Sequence, residues 1–198
     1  NDGANYTIGT YAFSECYSLT NEDVHNIMEH YKSISSYIFW KCTSLTDVSV
    51  SRFGDCMFSG CTNLIKAVSL VGKPTGNSVF ENCTNLQEVR FADGTDIIGY
   101  ALFKSCTRLK TVYLPSSITT ATNNSLTDSG SYNIFYGCTA LEDVQLGQDW
   151  NMSLRITFST NITVDSMIAM FNSLKDLTGD TAKTLTLGST NLAKLTDE

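Results

Sequence analysis

The histidines and cysteines of this sequence are candidates for catalysis or metal binding. The two histidines, His25 and His30, lie five residues apart. On a helix this spacing turns them about 140° away from each other, whereas the histidines of an H-E-x-x-H metal site share one face. Because the sequence has no third histidine, we interpret both as solvated helix residues and predict neither a metal site nor a cofactor.

Other patterns that indicate catalysis are missing from the sequence. It contains no G-x-S-x-G elbow, no Walker loop and no C-x-x-C pair. The stretch DGTD at 93–96 has some likeness to a calcium loop. It lacks the spaced acidic ligands and the final Glu of such loops, so a turn between two elements is favoured. No combination of residues indicates an enzyme.

Six of the seven cysteines occupy the same place in a recurring pattern, in which a phenylalanine, a cysteine and a leucine are separated by two residues each. Consecutive copies lie 26, 19, 22, 23 and 32 residues apart. A period of this length is typical of a solenoid, whose coils bury their apolar faces against one another. The copies are Phe13, Cys16, Leu19; Phe39, Cys42, Leu45; Phe58, Cys61, Leu64; Phe80, Cys83, Leu86; Phe103, Cys106, Leu109; and Phe135, Cys138, Leu141.

A short segment of alternating apolar and polar residues follows each of the last five copies: TDVSV, KAVSL, QEVRF, KTVYL and EDVQL. Alternation predicts strands whose apolar residues point inward and which stack into a parallel sheet. One extra residue between Leu64 and Val68 predicts a local bulge. The predicted inward residues are Val48 and Val50, Val68 and Leu70, Val89 and Phe91, Val112 and Leu114, and Val144 and Leu146.

The shared repeat position of the cysteines argues against a disulfide framework. It predicts a ladder of parallel, inward-pointing thiols whose parallel Cβ vectors give poor bridge geometry. We therefore expect reduced thiols that act as small buried hydrophobes. Cys56 alone is out of register. It is the best candidate for an exposed or reactive thiol, although burial as a loop filler is favoured.

Two stretches of the repeats, IGTYAFSEC at 8–16 and LKTVYLPSSI at 109–118, resemble the BspA-like leucine-rich-repeat proteins of bacterial surfaces. The repeat of that family reads roughly I-G-x-x-A-F-x-x-C-x-x-L-x-x-V-x-L-P-x-x-I, and the match covers about residues 8–147. Residues 177–198 also resemble the C-terminal end of some members. The resemblance implies surface display or secretion and adhesive protein binding, but no shared ligand pocket.

The predicted fold class is therefore an α/β repeat: a leucine-rich-repeat solenoid with a parallel β-sheet on its concave face and an α+β C-terminal cap. Residues 1–147 form the coils. A helical insertion interrupts them at about 20–34, where Val24, Ile27 and Met28 fall at helical spacing, and a polar loop insertion at about 119–132.

Residues 148–198 form the predicted cap, packed on the coils as one domain. A strand at 153–159, a helix at 163–179 with Thr163 as N-cap, a strand at 183–188 and a helix from 189 would hide the last open coil. The buried stripe of the first cap helix is predicted to comprise Met167, Met170, Phe171, Leu174 and Leu177.

Charge and hydropathy exclude two classes of partner. The 198 residues carry a net charge of −7 with 13 basic residues and no Lys/Arg cluster, which argues against nucleic-acid binding. No run of 18 apolar residues is present, so we predict no membrane insertion within this sequence. The chain starts inside a repeat and stops inside a predicted helix, which favours a fragment of a longer protein.

The candidate ligand-binding residues are Tyr113, Arg90, Trp40 and Tyr136. The first two stand at outward strand positions, and the others follow a motif Phe at a position that is mostly polar. Packing of Trp40 onto the inserted helix is an equal alternative, and the outward positions could simply be solvated. The predicted outward strand residues are Asp47, Ser49, Ala67, Ser69, Glu88, Arg90, Thr111, Tyr113, Asp143 and Gln145.

The sequence thus favours a non-enzymatic, adhesin-type module on the cell surface or outside the cell. Its expected partner is a protein, either a host extracellular protein or a bacterial surface protein. The alternative is a structural spacer that presents another domain and has no ligand of its own.

Overall fold

The computed structural model of the chain describes residues 7–31 and 33–196. Each coil contributes one short strand to a parallel sheet and returns through the turn that carries the Phe–Cys–Leu motif. The helices are α1 (Asn21–His30), α2 (Val164–Asn172) and α3 (Ser189–Ala193), and a short 3-10 turn spans Thr122–Asn124. The strands are β1 (Thr7–Ile8), β2 (Ser33–Ile34), β3 (Asp47–Val50), β4 (Lys66–Ser69), β5 (Glu88–Arg90), β6 (Ile97–Ile98), β7 (Thr111–Leu114), β8 (Thr120–Ala121), β9 (Asp143–Leu146), β10 (Leu154–Arg155) and β11 (Leu185–Thr186).

The main sheet has five parallel strands in the order β3-β4-β5-β7-β9. Every strand begins two residues after the Leu of its motif, so equivalent residues of successive coils pair directly, as Val112 does with Val89 and Val144. Three two-stranded parallel sheets, β1-β2, β6-β8 and β10-β11, join other parts of neighbouring coils. The predicted parallel-strand solenoid is confirmed.

The prediction of which strand residues point inward is confirmed in four strands of the main sheet and is wrong in β4. In β4 the buried residues are Ala67 and Ser69, while Val68 is half-buried and Leu70 is exposed. The prediction followed apolar character and assigned the opposite faces. Because side chains alternate strictly along a strand, one residue of misregister inverts the whole assignment.

The register of β4 has a simple cause. Lys66 pairs with Asp47 on one side and with Glu88 on the other. The Thr46 carbonyl accepts from the amides of Ile65 and Lys66, a pattern that recurs in the later coils. The strand therefore keeps the same offset from its motif as every other strand, and the predicted bulge is wrong.

The motif residues fill the interior from the wall opposite the sheet. The six motif phenylalanines stack along the solenoid, with ring centroids of neighbours 5.5 to 6.0 Å apart. Such offset stacks add to the apolar burial of each ring. From the second motif to the sixth, Phe, Cys and Leu are all buried; these fifteen residues are Phe39, Cys42, Leu45, Phe58, Cys61, Leu64, Phe80, Cys83, Leu86, Phe103, Cys106, Leu109, Phe135, Cys138 and Leu141.

The motif cysteines form a second column beside the phenylalanines. From Cys42 onward each thiol donates a hydrogen bond to the Phe carbonyl of the preceding coil, with Sγ–O distances of 3.0 to 3.2 Å. All seven thiols are free. Burial raises the pKa of the Cys42 thiol to about 11 and also raises the pKa of the four motif thiols that follow it. Desolvation thus keeps each thiol protonated, and only the protonated thiol can donate.

Helix α1 occupies the insertion between the first two motifs. Thr20 is its N-cap and forms a reciprocal capping box with Asp23. Val24 and Met28 are buried on the face that packs against β3. The helix therefore covers the first strand of the main sheet.

Coil geometry continues beyond residue 147. Ile156, Ser159 and Ile162 repeat the motif spacing and are all buried. Ser159 stands at the cysteine position, and its hydroxyl hydrogen-bonds to the carbonyls of Thr139 and Leu141 in the preceding coil. The motif spacing therefore persists with different residue types, which a search for Phe and Cys does not detect.

Helix α2 packs against β9, the last strand of the main sheet. The Ser166 hydroxyl accepts a hydrogen bond from the Val144 amide. Met167 and Met170 are buried as predicted, but Phe171 and Leu174 are exposed and Leu177 is half-buried. The helix ends at Asn172 and not at 179, so Leu174 and Leu177 lie beyond it; Phe171 lies within the helix but outside its buried face, which consists of Ser166, Met167 and Met170. The predicted cap strands are also shorter, two residues each.

Candidate binding surface

The outward residues of the five main strands form one surface, which we call the sheet face. Strand register aligns these residues in two rows across the coils. The first row is Asp47, Lys66, Glu88, Thr111 and Asp143, and the second is Ser49, Val68, Arg90, Tyr113 and Gln145.

Two of the predicted ligand-binding residues are neighbours in the second row. The Arg90 guanidinium lies 4.0 Å from the centroid of the Tyr113 ring, within the range of a cation–π contact. The Tyr113 hydroxyl donates to Asp93 Oδ1 at 2.9 Å. Partial burial, followed by the Asp93 contact, raises the pKa of Tyr113, which therefore stays a hydrogen-bond donor. Asp93 thus fixes the Tyr113 hydroxyl, and the Tyr113 ring provides the surface on which the guanidinium lies.

Most other charges near these two residues are neutralised by cross-strand pairs. Lys66 lies 2.8 Å from Glu88, and Lys110 lies 3.2 Å from Glu142. Within the described part of the chain, Arg90 has no carboxylate within ion-pair distance. The guanidinium is thus available for an acidic group from outside.

Trp40 and Tyr136 lie on the motif turns and not on the sheet face. Trp40 is half-buried, makes an edge contact with the Tyr11 ring of the preceding coil, and has the Lys41 ammonium 4.0 Å from its centroid. Tyr136 is 39% exposed and makes an edge contact with Phe158. The four candidate residues therefore divide into one adjacent pair and two separate aromatics.

Cys56 lies beside two stacked tyrosines, Tyr37 and Tyr11, an arrangement that was not predicted from the sequence. The Tyr37 hydroxyl hydrogen-bonds to the Cys56 sulfur, which raises the pKa of Tyr37 to about 12. Tyr37 stacks on Tyr11 with the ring centroids 4.7 Å apart. Cys56 is half-buried, and desolvation raises its thiol pKa. A raised pKa is the opposite of what a nucleophilic thiolate needs. All three residues stand two places before a motif Phe, which was the available signal.

The remaining candidates for chemistry lie apart. His25 and His30 are both exposed on α1, and residues 93–94 form a turn in which Gly94 has a φ of +90°. No group of three His, Cys, Asp or Glu residues could hold a metal ion in the described ranges 7–31 and 33–196. Across the same ranges, no helix has the length and apolar content needed to cross a bilayer.

A notch of about 540 Å³ lies beside the sheet face. It is located at the shortest coil, where only 19 residues separate Phe39 from Phe58. This spacing is visible in the sequence, but the opening that a short coil leaves was not predicted from it. Residues that line the notch include Ile34, Arg52, Phe53, Val71, Lys73 and Pro74.

Stacked parallel strands with one motif per coil define this protein as a leucine-rich-repeat solenoid. A family model described as "BspA type Leucine rich repeat region (6 copies)" matches residues 4–75 and 73–181. The chain belongs to that family, and the resemblance inferred from the sequence is confirmed.

Solved structures of bacterial leucine-rich-repeat proteins are similar to the chain. The T. pallidum protein TpLRR is 28% identical over 57% of this chain and 50% of its own, with a TM-score of 0.47. A leucine-rich-repeat protein from Bacteroides ovatus is 22% identical over 71% of this chain and 40% of its own, with a TM-score of 0.49. The chain thus spans half or less of the length of these proteins. No curated protein matches it.

Proposed function

We propose that this chain is a non-enzymatic, adhesin-type module that binds a protein, with its place on the cell surface or outside the cell. The partner would be a host extracellular protein or a bacterial surface protein. The observation that carries the proposal is the Arg90–Tyr113 pair in the middle of the sheet face. Its guanidinium lies against an aromatic ring and has no carboxylate at ion-pair distance among residues 7–31 and 33–196. Arginine and tyrosine are among the residues that dominate binding energies at protein interfaces.

The rigidity of the scaffold supports this function. Both residues stand on strands of the main sheet, and the coils beneath them are joined by continuous phenylalanine and cysteine columns. A surface that is already ordered loses little conformational entropy when it binds. A repeat array also presents its outward residues as one broad surface and not as a deep pocket.

The experiment compares two double variants against a panel of purified extracellular-matrix and bacterial surface proteins. We expect saturable, salt-tolerant binding of at least one panel member by the parent chain. Arg90→Ala/Tyr113→Ala should weaken that binding about tenfold or more, since each truncation removes an interface anchor. Trp40→Ala/Tyr136→Ala serves as the matched aromatic control on the motif turns. Equal binding by parent and both variants, with unchanged melting, would exclude these surfaces.

A second candidate is the structural spacer. One observation favours it: the rings of Trp40 and Tyr136 already contact Tyr11 and Phe158 within the chain. A spacer needs only an unbroken core and a solvated exterior. Failure of every panel member to bind the parent chain would favour it over the binding module.

A further inference from the structure

The notch follows from the difference in length between neighbouring coils. The spacing from Phe39 to Phe58 is 19 residues, against 26 before it and 22 after it. The residues missing from the short coil leave a gap in the wall, which Ile34 borders from one side and Val71 and Pro74 from the other. Phe53 closes the floor, and Arg52 donates to the Tyr31 carbonyl.

The coil after the notch places its larger apolar side chains outside. Ala67 and Ser69 point inward, whereas Leu70 is 51% exposed and Val71 46% exposed. Phe53 supplies the interior bulk that these small residues do not, through edge contacts with the rings of Phe58, Phe80 and Phe91. The interior is therefore filled without Leu70 and Val71, whose side chains stay exposed in the isolated chain.

Four apolar residues within positions 65–71, in β4 and directly beside it, form what we call the strip. The strip consists of Ile65, Val68, Leu70 and Val71; Val68 is half-buried, the other three are exposed, and Val71 also lines the notch. Single exposed apolar residues need no explanation, but several in one short segment beside a concave site indicate an interaction surface.

Two cations flank the strip and the notch. Arg90 pairs in register with Val68, and Lys73 lines the notch. Neither has a carboxylate within ion-pair distance among residues 7–31 and 33–196. In a chain with a net charge of −7, two such cations beside the strip and the notch favour a partner that carries acidic groups.

We propose that the strip and the notch bind an extended segment of a partner protein in which apolar residues are combined with acidic ones. This inference rests on the proposed function and specifies its partner. The apolar side chains of the segment pack against Leu70 and Val71 and enter the notch. One carboxylate meets the Arg90 guanidinium, whose planar fork suits a bidentate contact, and another meets Lys73.

The probe is a random peptide library displayed on phage, selected on the parent chain and depleted on Leu70→Ser/Val71→Ser. We expect enrichment of apolar sequences that contain Asp or Glu. Synthetic versions of the enriched peptides should bind Arg90→Glu/Lys73→Glu about tenfold more weakly than the parent. The control is Ile168→Ser/Phe171→Ser, which alters two residues of α2 with similar exposure, 45% and 43%, and should bind as the parent does.

The outcomes separate this inference from the proposed function. A panel protein that binds Leu70→Ser/Val71→Ser as tightly as the parent would leave the binding module intact and overturn the strip and notch as its site. Enrichment of basic peptides, or no enrichment over the depleted selection, would also overturn it. A dimer seen by light scattering for the parent, and lost in the same variant, would assign the strip to a second copy instead. Unchanged melting of each variant shows that folding is intact.

Discussion

The motif wall and the sheet face of this solenoid obey different rules. On the motif wall the same residue types recur in the six motif copies, so that phenylalanine stacks on phenylalanine and, from Cys42 onward, each motif thiol donates to the Phe carbonyl of the preceding coil. On the sheet face the residues at equivalent positions change from serine to valine, arginine, tyrosine and glutamine. The repeated motif residues stabilise the fold, because each coil must fit the coil before it. The varied outward residues of the sheet face can form a specific binding surface.

The largest expected effect concerns the segment 148–198, which covers the last strand of the main sheet. Deleting residues 148–198 removes α2 from β9 and exposes Val144, Leu146 and an unpaired strand edge. Open edges of this kind promote association. We expect the truncated chain to aggregate or to lose its last coils, measured by light scattering and thermal melting. A monomeric truncated chain with unchanged melting would contradict the covering role of this segment.

Alkaline pH should weaken the motif wall more than the sheet face, on which the pKa of Tyr113 is also raised. The pKa of the Cys42 thiol is raised from 9.0 to about 11, and those of the later motif thiols are raised as well. Above pH 9 the unfolded chain therefore releases protons that the folded chain retains, and stability falls as pH rises. Each thiol contributes a slope of up to about 1.4 kcal/mol per pH unit.

The measurement is the urea midpoint of the chain between pH 8 and about 11. The variant Cys83→Ala/Cys106→Ala should start less stable but lose stability less steeply, because two of the raised pKa values are gone. Equal slopes for the parent and the variant would show that the thiols are not the groups that titrate.

A single truncation on each wall sharpens the comparison. Phe103→Ala opens a cavity between two ring neighbours, Phe80 and Phe135, and should cost about 3–5 kcal/mol. Ser49→Ala trims an exposed side chain of the sheet face and should change stability by less than about 0.5 kcal/mol. Comparable urea midpoints for the two variants would mean that the two walls contribute alike.

Spacing predicted the fold better than apolar character did. The equal offsets of Arg90 and Tyr113 from their motif leucines are enough to make them neighbours, and the structure has them in contact. Val68 and Leu70 were assigned inward on character alone, although the offset from Leu64 points to Ala67 and Ser69. A strand follows the hydrogen bonds of its neighbours, and here that constraint outweighs the preference of single side chains for burial.

The surface features that the sequence did not predict depend on what neighbouring elements leave open. The notch exists because one coil is shorter than the coils beside it, so no residue within that coil marks it. The apolar spacing predicts Leu174 and Leu177 on the buried stripe of the cap helix, but α2 ends at Asn172. Helix length and inter-coil gaps are tertiary properties, which a one-dimensional pattern does not contain.

A further prediction, smaller in effect than Phe103→Ala, concerns the backbone of the motif wall. The residue two places after the motif Phe has a positive φ in each of the six coils, and it is Gly60 and Gly137 in two of them. Ser105 adopts the same conformation with a φ of 63°. A residue with a Cβ is strained there by about 1–2 kcal/mol, which glycine avoids. Ser105→Gly should therefore stabilise the chain by about 0.5–1 kcal/mol, since the greater freedom of glycine in the unfolded chain offsets part of the gain.

The matched control is Thr107→Gly, an exposed turn residue in the same coil whose φ is not positive. This change relieves no strain and should destabilise by about 0.5–1 kcal/mol through the entropy of the unfolded chain. Urea midpoints should therefore move in opposite directions for the two variants. A lower midpoint for Ser105→Gly would mean that the neighbouring coils, through the bond from the Ser105 amide to the Tyr136 carbonyl, hold this conformation without appreciable strain. The motif wall would then tolerate side chains at this position as freely as the sheet face does at its outward positions.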